Sequence, residues 1–184
     1  MLFVGIDPGK DGAIAFISDD GIVEVRAAVL GANDRAALLA RRYAPSLLRV
    51  YIEKSQAFPG QGGVGNHSTG MDYGQWLTIL DLYDIPYQIV TVQSWQKVML
   101  AGKPSPPKKP DMPALATHDG YKQAVAARQR ITAAHRKEVK EFAATVAQRL
   151  FPTVNLKRTD RCAGPHDGAV DALLIAEYCR RTWR

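Results

Sequence analysis

Four carboxylates in three distant segments are the residues best suited to do chemistry together. Asp7 ends the run LFVGID, Glu53 ends LLRVYIE, and Asp167 and Asp171 lie four apart in HDGAVDALLIAEY. Oxygen ligands of this kind suit Mg2+ or Mn2+, and no Cys/His set with zinc spacing is present. Four acids at one place can hold two ions roughly 4 Å apart, a pair that activates a water and stabilises the leaving oxygen of a phosphodiester. Metal-dependent cleavage of a phosphodiester is the chemistry this grouping fits.

Taken singly, each acid has a plainer reading. Asp7 in Asp-Pro-Gly is a turn residue, Glu53 a surface ion-pair partner for Lys54 or an arginine, and Asp167 a helix N-cap, since acids favour that end. Asp171 resists such an account, because it lies a full turn inside an apolar run. At i and i+4 the two aspartates share a helix face and repel by a few tenths of a kcal/mol, a penalty that a bound divalent ion reverses. His166 stands beside them, either assisting as an outer donor or proton shuttle or serving only the capping loop.

The elements that must position these residues can be read from periodicity. Leu2 to Asp7 reads as a strand, with Leu2, Val4 and Ile6 on one face and Phe3, Gly5 and Asp7 on the other. Pro8-Gly9 and Asp11-Gly12 turn the chain into a second strand, Ala13 to Ser18, and Asp19-Asp20-Gly21 turns it into a third, Ile22 to Val29. Turns this short impose an antiparallel meander. A helix capped by Asn33 or Asp34 then runs through Ala36, Leu39 and Tyr43 to a stop at Pro45, and the apolar strand Leu47 to Ile52 follows, parallel to its neighbour because a helix separates them.

Gln56 to Gly70, rich in glycine and polar residues, reads as a long loop. Tyr73, Trp76, Leu77, Leu80 and Tyr83 fall at helical spacing, Ile85 to Val92 reads as a strand, and Ser94 can cap a short helix from Trp95 to Leu100. GKPSPPKKPDMP, with five prolines, is an arm or linker within residues 101–118. From Asp119 the chain is helical again, with a stripe of Val139, Phe142, Ala143, Val146, Ala147 and Leu150 ended by Pro152, and a last helix runs from Asp167 to about Arg180. Strands alternating with helices in this order predict one α/β domain of three layers across residues 1–184.

Composition agrees with one soluble core. The chain has 184 residues, 46% of them hydrophobic, and no apolar stretch long enough to span a membrane. A start without signal-peptide character and only two cysteines, Cys162 and Cys179, predict a reducing, cytoplasmic compartment. The net charge of +6 is concentrated: nine Lys or Arg against four acids between Ala101 and Glu141 leave a surplus of five. Such a run is either a solvated helix face or a surface that tracks phosphates. GQGGVG at Gly60 to Gly65 fits a dinucleotide-binding pattern, but no strand ends immediately before it and no helix clearly opens on it.

The strings GIDPGKDGAIAF, YIEKSQAFPGQG, YGQWLTILDLYDIPYQIVTVQSWQK and HDGAVDALLIA resemble the RuvC-like Holliday junction resolvases of bacteria and their phages, in the RNase H-like nuclease superfamily. The resemblance runs from Leu2 to about Leu100 and resumes from about Arg136 to Tyr178. It implies an RNase H-like fold of three layers, with a five-stranded mixed sheet made of an antiparallel meander plus two parallel strands, and helices on both faces. It further implies a homodimer, joined through the helix Tyr73 to Asp84, that makes paired symmetric nicks in a four-way DNA junction with two Mg2+ per site, or Mn2+ in their place.

The family's first aspartate falls on Asp7, its glutamate on Glu53 and its last aspartate on Asp171. Its remaining carboxylate stands three residues before the last in the best-known bacterial members, where this chain has Gly168; Asp167, one residue earlier, takes the role here. The family's junction-probing aromatic falls on Phe58, with Gln61 in the same loop, and its basic stretch on Lys137 and Lys140, all four expected to contact DNA. The rival readings are a ribonuclease H or a less selective branched-DNA nuclease of the same fold, and a junction-binding protein without catalysis. The GIDPG opening also resembles phosphate-binding strands of actin-like ATPases, but 184 residues cannot hold their two duplicated halves.

Overall fold

In the computed structural model, which describes residues 1–27, 31–41, 43–55, 63–109 and 118–184, the first three runs form β1 (Leu2–Asp7), β2 (Ala13–Ser18) and β3 (Val23–Ala27). β1 pairs antiparallel with β2 and β2 with β3, as their short turns require. β4 (Leu48–Glu53) lies parallel to β1, and β5 (Tyr87–Val90) lies parallel to β4, giving the order β3-β2-β1-β4-β5. This is the five-stranded mixed sheet that the sequence predicts, and its central strand carries Asp7.

Helices cover both faces, and the alternation along β1 decides which residues meet which layer. Val4 and Ile6 are fully buried with Ile14, Phe16, Val50 and Ile52 against Leu39, Trp76, Ile79 and Leu80, the layer that includes α2 (Gly63–Leu82). On the other face Phe3 packs with Ala15, Ile17 and Tyr51 under α5 (Asp167–Thr182), with α3 (Val92–Met99) and α4 (His118–Leu150) beside it. The result is an RNase H-like α/β fold of three layers. Asp7, in phase with Phe3 and Gly5, belongs to the α5 face.

Several boundaries depart from the sequence reading. The helix after β3 starts earlier: α1 (Ala32–Ala36) has Gly31 as its N-cap with no side-chain cap bond, and a π-helical turn, Ala37–Arg41, continues it. Asn33 and Asp34 thus sit inside the first turn, where the Asp34 charge complements the positive end of the helix. Likewise Thr91, not Ser94, caps α3: its hydroxyl accepts the Ser94 N–H at 3.2 Å, while the Ser94 hydroxyl donates to the Thr91 carbonyl at 2.8 Å. β5 is shorter than predicted, because Ile85 turns into the core after the positive-φ residue Asp84.

The main correction concerns the glycine-rich segment. Helix α2 begins at Gly63, so the predicted loop to Gly70 is helical in its second half, and a helix does open within GQGGVG. Because the apolar turns from Tyr73 onward are fixed on the sheet, residues 63–72 extend an existing helix and are spared the cost of nucleating one, although a helical glycine costs roughly 1 kcal/mol. β4 ends at Glu53, well before that string, and no phosphate-binding strand-to-helix turn results among the described residues. No described helix is long and apolar enough to cross a membrane.

Candidate active site

Register brings the first two acids together. β1 and β4 pair Ile6 with Ile52, so Asp7 and Glu53 are the next residues on adjacent parallel strands, whose backbones lie about 4.8 Å apart. Both share the phase of the residues that face α5.

Two close backbone approaches seat α5 over them. A Cβ at Gly5 would lie 2.1 Å from the Ala172 carbonyl oxygen and 2.3 Å from the Ala176 nitrogen, so only glycine lets the helix backbone rest on β1. Asp171, adjacent to Ala172, is thereby held beside the end of the strand that carries Asp7. At the start of α5 a Cβ on Gly168 would stand 2.2 Å from the Asp11 carbonyl oxygen in the β1–β2 turn. No side chain fits at 168, so the acid nearest the start of α5 stands at 167.

The electrostatics place the acids in one neighbourhood. Burial raises the Asp7 carboxyl well above its ordinary value, and the charges of Asp171, Glu53 and Asp72 raise it further, with Lys140 pulling the other way. Asp171 is pushed up to about 7, by burial first and then by Glu53 and Asp167, again opposed by Lys140. Burial also raises Glu53, against the hydrogen bond that the Trp95 indole donates to its Oε2 at 2.6 Å. Trp95 is fully buried, and it orients Glu53 while leaving its other oxygen without that donor.

Asp167 is different. It is exposed, and its Oδ2 pairs with the Lys140 ammonium from α4. Lys140 therefore stands at the acids themselves, whereas Lys137, one turn earlier, is exposed and faces Glu141 at 3.8 Å. His166 caps α5, its Nδ1 accepting the Ala169 N–H at 3.2 Å; this is the capping-loop placement. Phe58 and Gln61 lie outside the described residues.

The oxygen donors match Mg2+ or Mn2+ in kind. Among the described residues, however, no three His, Cys, Asp or Glu side chains stand close enough to hold a metal ion. Asp167 is engaged by Lys140. The four acids share an electrostatic environment, not a closed coordination shell.

Three contributors gave no signal in the sequence. Asp72, on α2, accepts the Gly9 N–H at 2.8 Å and so ties the turn after Asp7 to the opposite layer. Arg35, only 4% exposed, pairs with Asp72, donates to Gln75 Oε1 at 3.2 Å and lies 4.6 Å from the Trp76 ring centroid. Trp95, placed by the sequence only at the start of a short helix, is fully buried and sends its indole nitrogen to the site.

Neither a protein-family model nor any curated protein matches this chain. Among solved structures it is similar to Thermus thermophilus RuvC in complex with Holliday junction substrate, at 15% identity and a TM-score of 0.51, over 97% of this chain and 92% of that one. A second Thermus thermophilus RuvC structure aligns at 16% identity and a TM-score of 0.49, over 98% and 96%. What the chain shares with the first of these is the fold, across nearly its whole length.

Proposed function

We propose that the protein is a metal-dependent DNA endonuclease that resolves four-way junctions by paired symmetric nicks, acting as a homodimer whose dyad matches that of the junction. The observation that carries this reading is the placement of Asp7, Glu53 and Asp171, from three remote segments, at one end of the sheet, where Asp171 and Glu53 raise Asp7 and Glu53 raises Asp171. In addition, the fold is shared with a protein solved on a Holliday junction, and a basic helix, α4, brings Lys140 to the same place.

In this reading Asp7, Glu53 and Asp171 would hold Mg2+ or Mn2+, with Asp167 as the further oxygen donor if it left Lys140. When bound, the ions supply the charge that activates water and stabilises the leaving 3′ oxygen. The protein's own part is to fix the acids. Gly5 lets α5 seat Asp171, the β1–β4 register aligns Asp7 with Glu53, and Trp95 fixes the Glu53 carboxylate. Lys140, released from Asp167, is then free to meet a DNA phosphate. Attack in line with the leaving oxygen gives hydrolysis without a covalent enzyme intermediate.

The test is a labelled four-way junction incubated with Mg2+ beside a flap and an RNA–DNA hybrid. Paired nicks at symmetric positions, in the junction alone, support the proposal. Preferential cleavage of the hybrid would make the protein a ribonuclease H, and junction binding without nicks in Mn2+ would make it a non-catalytic binder.

A further inference from the structure

The outer strand β3 has β2 on one side and, among the described residues, no strand on the other. Which of its backbone groups point outward follows from the hairpin that leads into it. The Ser18 N–H donates to the Ile22 carbonyl at 3.0 Å, and antiparallel pairs alternate between hydrogen-bonded and non-bonded from there. By the register, Glu24 and Arg26 bond to Phe16 and Ile14, while Val23, Val25 and Ala27 turn their N–H and carbonyl groups away from β2. Three residues thus present an outward hydrogen-bonding edge.

There is room beside that edge. A groove of about 510 Å3 is bounded by Ile22, Val23 and Val25 on one side and by residues 150–155 on the other, and Ile22 is 69% exposed. A row of outward backbone groups is a template for a further strand.

The side chains select which strand fits. Glu24 and Arg26 lie on the opposite face from Val23 and Val25, with Arg26 exposed, Glu24 less so, and the Arg26 Nε donating to Glu24 Oε1 at 2.8 Å. Charges on an edge ordinarily discourage pairing, but here two opposite signs stand symmetrically about Val25. Laid antiparallel on a second copy with Val25 opposite Val25, the strand sets Glu24 against the partner's Arg26 and Arg26 against the partner's Glu24. The same alignment puts Val23 opposite Ala27, so every outward group meets its complement. A slip of two residues would set Glu24 on Glu24 or Arg26 on Arg26, and a slip of one would misalign the backbone groups. Only one register satisfies both charge and backbone.

We propose that β3 is a self-association edge, which pairs antiparallel with β3 of a second copy about a dyad at Val25 and joins two five-stranded sheets into one. It lies at the opposite border of the sheet from β5 and is separate from the contact expected of the helix Tyr73 to Asp84. The dyad runs through the sheet, so both acid clusters face the same side of the joined structure. A five-residue strand pair is small against the roughly 1,200 Å2 that a stable interface buries, so this contact is weak alone and is best read by covalent trapping. The pairing is independent of the nuclease chemistry.

The test uses the full chain carrying Cys162→Ser, with Glu24→Cys and Arg26→Cys made as two separate proteins. In the register above these positions form a non-bonded pair with Cα atoms about 4.5 Å apart, within disulfide reach. Mild oxidation of the mixture is expected to give a covalent dimer, severalfold more than either protein gives alone, because alone each cysteine faces a charged side chain. Val25→Pro, added to both, removes an N–H that points away from β2 and so spares the β2–β3 ladder. It is expected to abolish the link while the circular dichroism stays native. Equal dimer in the mixture and in the single proteins would overturn the register. No dimer even at high chain concentration, or a link that persists in folded Val25→Pro, would overturn the pairing, and the nuclease reading would stand in each case.

Discussion

Asp171 and Glu177 stand six residues apart on α5, both carboxylates taken largely out of water, and the protein treats them in opposite ways. Glu177 is 1% exposed, yet its oxygens accept from Arg180 at 2.7 and 2.9 Å and from Arg181 at 2.7 Å. Burial pushes its carboxyl up, and the two arginines outweigh that, leaving it below its ordinary value. Asp171 has no arginine; burial and the neighbouring Glu53 and Asp167 push it up to about 7. One end of the helix closes its electrostatics with the protein's own residues. The other end leaves negative charge unmet beside the strand that carries Asp7, the feature on which the proposed cation-dependent site rests.

The comparison breaks most sharply on activity. Asp171→Asn is expected to reduce junction nicking on the order of a thousandfold or more, because loss of metal-borne charge stabilisation costs several kcal/mol. Glu177→Gln leaves nicking per folded molecule unchanged, as gel assays on both variants would show.

Stability follows, with the greatest loss expected where α5 rests on β1. Gly5→Ala drives a Cβ into the backbone of α5 and is expected to cost about 3 kcal/mol, lowering Tm by roughly ten degrees. Glu177→Gln costs less, about 1–2 kcal/mol, since both arginines reach solvent and rehydrate.

The two carboxylates also give opposite pH slopes in metal-free protein. Asp171 keeps a proton in the folded state up to about pH 7 that the unfolded chain releases near pH 4, so stability falls as pH rises through that window. Glu177, lowered in the fold, contributes stability above its ordinary pKa that is lost as pH falls toward its folded value. Urea denaturation across pH 4 to 8 should show the first slope shallower in Asp171→Asn, where the raised Asp7 and Glu53 still contribute, and unchanged in Glu177→Gln.

The smallest effect belongs to Lys140, an exposed cation that lowers both Asp7 and Asp171. Lys140→Met moves the Asp171 midpoint further upward, measurable by carboxyl NMR, with little change in Tm because exposed pairs contribute at most about 1 kcal/mol.

How much of this was legible in the sequence depends on range. The β1–β2–β3 meander, the parallel β4 and the face on which Asp7 lies follow from alternation and turn length, which are local. The start of α2 at Gly63 was not legible, because glycine propensity argues against a helix that tertiary packing imposes. The Asp72–Arg35 tie and the Trp95 bond to Glu53 were not legible either, since each joins residues more than thirty apart in directions that no periodicity encodes. Gly168 lies between these cases. The glycine itself was visible, and the Asp11 carbonyl that excludes a side chain there is visible only in the fold.

Calorimetric titration of Mn2+ into metal-free protein at pH 6.5, repeated in buffers of different ionisation enthalpy, addresses the unmet charge most directly. The account predicts binding coupled to proton release, abolished in Asp171→Asn and Asp7→Asn and unchanged in Glu177→Gln. Equal binding in wild type and Asp171→Asn, or binding that releases no proton, would contradict it.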